Sequence, residues 1–143
     1  MKQPLNKIFH LKKTTIDNAL DVEYRQYFIG TLGSSQILNY IELGDFEMGT
    51  SFYKEPKADV PHMHSKTSEV LYILKGTYAI LTIDSMKEYL LNEGDVFVIP
   101  PNMAYASKAH AETQVLFVKT GGNDKISIPI SPNIQLWLDN FLV

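Results

Sequence analysis

The stretch Val60-Pro61-His62-Met63-His64-Ser65-Lys66-Thr67-Ser68-Glu69-Val70-Leu71-Tyr72-Ile73-Leu74-Lys75-Gly76 holds two β-rich runs joined by a short polar segment. Alternate side chains of a strand share a face, so His62 and His64 point to the same side of the first run. Glu69 opens the second run, and the tight 65–68 loop predicts a hairpin that sets its carboxylate beside the histidine pair. Two neutral imidazoles and one carboxylate make a facial set suited to a divalent first-row metal, with other positions open to water or substrate. Histidines so spaced also occur on surfaces. Here they lie between Val60-Pro61 and an apolar run, where unpartnered imidazole and carboxylate groups carry a desolvation cost that a shared cation would remove.

Outward from this stretch, β-rich runs recur at 36–43, 46–53, 60–64, 69–74, 77–84, 87–91, 95–99, 104–108 and 113–119, separated by Gly, Pro, Asn or Asp. Runs this closely spaced leave no room for crossover helices, so the predicted fold class is all-β with antiparallel connections, as a closed barrel or two sheets. Leu71, Ile73, Tyr78, Ile80 and Thr82 read as interior filling, and Lys75-Gly76 as a hairpin corner. Before residue 36 lies a mixed extension, 1–35, with a strand-like 8–11 and a 15–28 segment that reads as helix or turn. Past the Gly121-Gly122-Asn123-Asp124 separator, Ser131 serves as N-cap and Pro132 as first residue of a short helix over 132–141. Its apolar face is Ile134, Leu136, Trp137, Leu138 and Phe141. Gly121-Gly122 lacks the spacing of a phosphate loop. With no internal repeat or linker, 1–143 reads as one domain whose core barrel spans about 36–120.

Composition agrees. A chain of 143 residues buries roughly 70% of its unfolded surface, enough for a core without staples. With 0 Cys there are no disulfides, thiolate zinc sites, iron–sulfur clusters or thiol nucleophiles. Lys and Arg number 13 against 16 Asp and Glu, a net charge of −3 without a basic block or helix-turn-helix pattern, so nucleic acid is not an expected partner. No secretory leader or run near ~20 apolar residues occurs, which predicts a cytoplasmic protein without a membrane partner.

These residues resemble the cupin family. Its first motif runs glycine, five residues, His-x-His, three or four residues, Glu, six residues, glycine; here Pro56, His62, His64, Glu69 and Gly76 stand at that spacing, with proline for the leading glycine. The second motif matches at Gly94 and Pro100, with Asn102 in a glycine place, Tyr105 in the place of the last histidine and Ala109 in that of the asparagine. The resemblance implies a double-stranded β-helix, a cupin jelly-roll barrel, here with a short C-terminal helix, enclosing one divalent transition metal ion (Fe, Mn, Zn or Ni). His62, His64 and Glu69 would be the ligands.

Tyr105 is the candidate catalytic and substrate-binding residue, with three readings open: a phenolate ligand, a protonated hydrogen-bond donor to bound water or substrate, or a filler of the barrel mouth. His110, five residues on, falls on the opposite face of a continued strand, and His10 reads as a surface residue. The implied function is a small metal-dependent enzyme on a polar small-molecule ligand, of isomerase or epimerase, dioxygenase or lyase type. The alternative is a non-catalytic barrel whose metal anchors a sensed or stored ligand. Exposed barrel edges and the apolar terminal helix predict a homodimer, which the resemblance also implies.

Overall fold

The computed structural model describes residues 1–122 and 124–141; Asn123 of the predicted separator lies outside them. The elements in chain order are α1 (Lys13–Val22), β1 (Arg25–Ile29), β2 (Phe46–Tyr53), β3 (Lys57–His64), β4 (Ser68–Lys75), β5 (Thr77–Thr82), β6 (Lys87–Asn92), β7 (Val96–Ile99), β8 (Tyr105–Ala109), β9 (Thr113–Thr120), β10 (Lys125–Ser127) and α2 (Pro132–Asp139). The strands form two five-stranded sheets, ordered β1-β2-β9-β4-β7 and β10-β3-β8-β5-β6. Every strand pair is antiparallel. The sheets close a jelly-roll β-barrel, as the sequence predicts.

Alternation assigns the faces. Register aligns Ser51, Val115 and Ile73 across the first sheet, and beside them Gly49, Phe117, Leu71 and Phe97. Tyr78, Ile80 and Thr82 of β5 answer from the second sheet, so the predicted filling residues are the filling. A Cβ on Gly49 would stand 2.4 Å from the Gln26 carbonyl and 2.6 Å from the Phe117 ring, so only glycine fits there. β8 is buried on both faces. Tyr105, Ser107 and Ala109 face inward, while Ala106 packs beneath α2 against Ile134 and Leu138. Burying each of those two aliphatic side chains stabilises the docked helix by about 1.5–3 kcal/mol. Ser131 caps α2 as predicted, its hydroxyl accepting from the Ile134 amide. The helix ends at Asp139, and Leu136 of the predicted apolar face is exposed.

Several expectations are corrected. The 65–68 loop closes no hairpin, because β3 and β4 belong to different sheets and the loop carries the chain across the barrel. Lys75-Gly76 likewise turns between sheets, from β4 to β5. The 36–43 run is not a strand. The Gln36 side-chain amide donates to the carbonyls of Tyr27 and Leu38 and its oxygen accepts from the Tyr27 amide, taking the place of a backbone ladder. Strand pairing therefore starts in the predicted extension, with Arg25 of β1 opposite Ser51. The 15–28 segment divides between α1 and β1, and the 8–11 segment, with Ile8 98% exposed, pairs with nothing among the described residues.

Candidate metal centre

His62 and His64 reach the interior because β3 shifts register between Asp59 and His62 where it pairs with β8. From His62, register runs to Tyr105 and then to Thr82, so the phenol stands next to the first imidazole on one sheet. Glu69 faces them from the other sheet, flanked by Ile99 on β7 and Lys119 on β9. One ligand atom from each of His62, His64 and Glu69 lies within 4.8 Å of the others. The three are 7%, 5% and 8% exposed, and Tyr105 is 3% exposed. The predicted cluster is thus brought together, between sheets rather than across a hairpin. His110 sits half-buried at the end of β8 and His10 is exposed, both apart from it.

Hydrogen bonding fixes the imidazole tautomers. His62 Nδ1 donates to the Val60 carbonyl at 3.1 Å, and His64 Nδ1 donates to Asp124 Oδ1 at 3.2 Å. Each ring therefore turns the lone pair of Nε2 toward the centre. His62 Nε2 lies 3.0 Å from the Tyr105 oxygen, but Tyr105 donates its hydrogen to Glu69 Oε2 at 2.5 Å. His64 Nε2, buried and 3.9 Å from Glu69 Oε2, has no hydrogen-bond partner. One phenolic hydrogen thus faces two imidazole lone pairs and a carboxylate. A buried acceptor left unmet costs about 1–3 kcal/mol. A divalent cation meets all three at once, so this donor set fits one.

Titration behaviour agrees. Burial pushes the His62 pKa down against the Val60 hydrogen bond, which keeps the ring neutral and its lone pair free at neutral pH. Burial, then the charge of Glu69 and the hydrogen bond to it, push the Tyr105 phenol up, so it keeps its proton. Asp124, which the sequence did not single out, braces the centre. Besides His64 it accepts from Ser65 Oγ, the Lys66 amide and Thr67 Oγ1, binding the 65–67 loop. Desolvation raises its carboxyl pKa, but the bonds from Thr67, Ser65, Lys66 and His64 together outweigh it and hold the carboxyl well below the usual carboxylate range. Gly121 is required by this loop: at φ +97°, a Cβ there would stand 2.6 Å from the Lys66 carbonyl, so the chain can approach only without a side chain.

Residues 48–140 match the family model described as Cupin. The chain belongs to the cupin family. No curated protein matches this cupin. Among solved structures it is similar to KdgF from Halomonas sp., at 16% identity over 70% of this chain and 79% of that one, TM-score 0.54. It is also similar to DMSP lyase DddQ from Ruegeria pomeroyi, at 16% identity over 72% of this chain but 50% of that one, TM-score 0.55. A cupin-like protein of Thermotoga maritima aligns at 13% identity over 66% and 73% of the two chains, TM-score 0.52. At these identities the likeness is one of fold. Tyr105 departs from the family's second motif, and beside it a cavity of about 180 Å³ opens, walled by Tyr89, Phe97 and Met103.

Proposed function

We infer that this cupin is a small metal-dependent enzyme acting on a polar metabolite held inside the barrel. The observation that carries the reading is the shortage of hydrogens at the centre, where two fixed imidazole lone pairs and a carboxylate face one phenol. His62, His64 and Glu69 would hold one divalent transition ion, of Fe, Mn, Zn or Ni. When bound, the ion supplies Lewis-acid polarisation of a substrate oxygen. Val60 and Asp124 keep the two imidazoles oriented. Tyr105, protonated, holds a hydrogen at its phenolic oxygen for an oxygen on which negative charge develops. The apolar wall of Tyr89, Phe97 and Met103 limits water around the reacting group.

Isomerase or epimerase, dioxygenase and lyase chemistry are all compatible with this set. A protein of the same fold, DMSP lyase DddQ, carries lyase chemistry in its name, which supports the last. The test is turnover by metal-loaded protein on sugar phosphates, keto acids and diols, with His62→Ala as control. Turnover lost in the variant supports the enzyme reading; a tightly retained ligand with no turnover supports the binding module instead.

The reading includes a homodimer in the cytoplasm. Tyr72, Leu74, Val96 and Val98 stand exposed on the outer face of β4 and β7, an apolar patch that a second copy would cover. Light scattering on an eluting peak tests it, a mass of one chain being the contrary result. No helix among the described residues is long and apolar enough to cross a membrane.

A further inference from the structure

We propose that the ligand of this centre carries a carboxylate, received inside the barrel by Lys119 and Arg25. The proposal rests on the metal-site reading for the ligand's other end, but its own support is separate. A small interior cavity of about 30 Å³ adjoins Glu69 and is walled by Arg25, Ser51, Tyr53 and Lys119. Such a volume holds about two water-sized positions, the number of oxygens in a carboxylate.

Both cations reach it through the register of the first sheet. Lys119 follows Val115 and Phe117 on the inward face of β9, directly across from Glu69 on one side and Glu47 on the other. Its ammonium stands 5.5 Å from the centre of the Phe117 ring. Among the described residues it has no carboxylate at ion-pair distance. Glu69 turns instead to Tyr105 and the histidines. Arg25 is held in place: Nε donates to Ser51 at 2.9 Å, a terminal nitrogen donates to Tyr53 at 3.4 Å, and Asp59 pairs with it loosely at 4.0 Å.

Two cations line the cavity; Asp59 pairs only loosely with Arg25, Glu69 is engaged by Tyr105, and the half-buried Lys119 ammonium is left without an anionic partner among the described residues. An anion placed there supplies that partner and shares the guanidinium. A guanidinium with fixed orientation and a nearby ammonium suit a planar carboxylate. A metabolite whose polar end lies at the histidine centre and whose carboxylate enters this cavity would use both halves of the barrel interior.

The test is calorimetric titration of malonate, with its neutral isostere malonamide as control, into metal-loaded and chelator-treated protein, with metal content read separately. Malonate binding at least about tenfold tighter than malonamide, and weakened about tenfold or more in both Lys119→Met and Arg25→Gln at unchanged metal content, supports the proposal. Lys119→Arg should keep most of the affinity. Because Arg25 also holds Ser51 and Tyr53, the Lys119 variants decide the matter if Arg25→Gln fails to fold. Equal binding of the two probes, or wild-type malonate affinity in Lys119→Met, overturns it, as does inorganic phosphate binding more tightly than malonate. Lys119-dependent malonate binding in protein that takes up no metal would uphold the carboxylate site while refuting the metal reading.

Discussion

Replacing Tyr105 by phenylalanine removes one oxygen and separates the three roles that residue could have. In the metal-free protein the hydroxyl donates to a buried carboxylate at 2.5 Å, a charge-assisted bond that contributes about 1.5–3 kcal/mol. Against this stands the same oxygen 3.0 Å from His62 Nε2 with no hydrogen left to share, a repulsion that the substitution relieves. The net cost is about 1–2 kcal/mol, or a fall in Tm of roughly 2–8 °C for a chain of this size. Once a cation meets the carboxylate and both imidazoles, the hydroxyl is worth only an ordinary hydrogen bond, about 0.5–1.5 kcal/mol. The difference, about 0.5 kcal/mol, returns through linkage as metal binding roughly twofold tighter in Tyr105→Phe than in wild type. Calorimetric melting of chelator-treated protein and metal titration against a competing chelator measure the two quantities. Affinity reduced tenfold or more would make the phenol a ligand and refute the reasoning; unchanged metal-free stability would make it a filler.

Asp124→Asn keeps the shape of the side chain but removes the charge that holds His64 and the 65–67 loop, so metal affinity should fall about 10–100-fold in the same titration. The pKa of His62 is lower in the folded chain than its unfolded value near 6.5, so the unfolded state takes up the proton first as pH falls. Metal-free stability should therefore be complete above about pH 7 and decline as pH drops below about 6.5, measured by urea unfolding, with a shallower decline in His62→Gln. Lys108 donates to the carbonyls of Trp137 and Asn140 at the end of α2. Lys108→Met should cost about 1–3 kcal/mol and speed hydrogen exchange in α2, with metal affinity unchanged.

Local chemistry made some of this structure legible. The 46–53 run, bounded by Gly44-Asp45 and Glu55-Pro56, is β2, and Ser131-Pro132 carries its helix start in two adjacent residues. The grouping of His62, His64 and Glu69 followed from strand period and family spacing, although the route was wrong. A four-residue connection serves a hairpin or a sheet crossing equally well, and only the pairing of β4 with β9 and β7 distinguishes them. The 36–43 run carries β-forming residues but loses its ladder to the Gln36 amide, a competition between side chain and backbone that composition does not reveal. β1 was hidden because Arg25, a charged residue, occupies an inward position. Asp124 reaches His64 across 60 residues of sequence, and Lys119 meets Glu69 only by register, so neither had a local signal.

The chemistry of this centre depends on His62, His64 and Glu69 together holding a metal ion. Elemental analysis of untagged protein, purified without chelators and compared with the His62→Ala/His64→Ala double variant, tests it most directly. Close to one equivalent of Fe, Mn, Zn or Ni per chain is expected in the wild type, and almost none in a folded double variant. Wild-type protein that stays metal-free after incubation with each of these ions, or a double variant that retains a full equivalent, would contradict it.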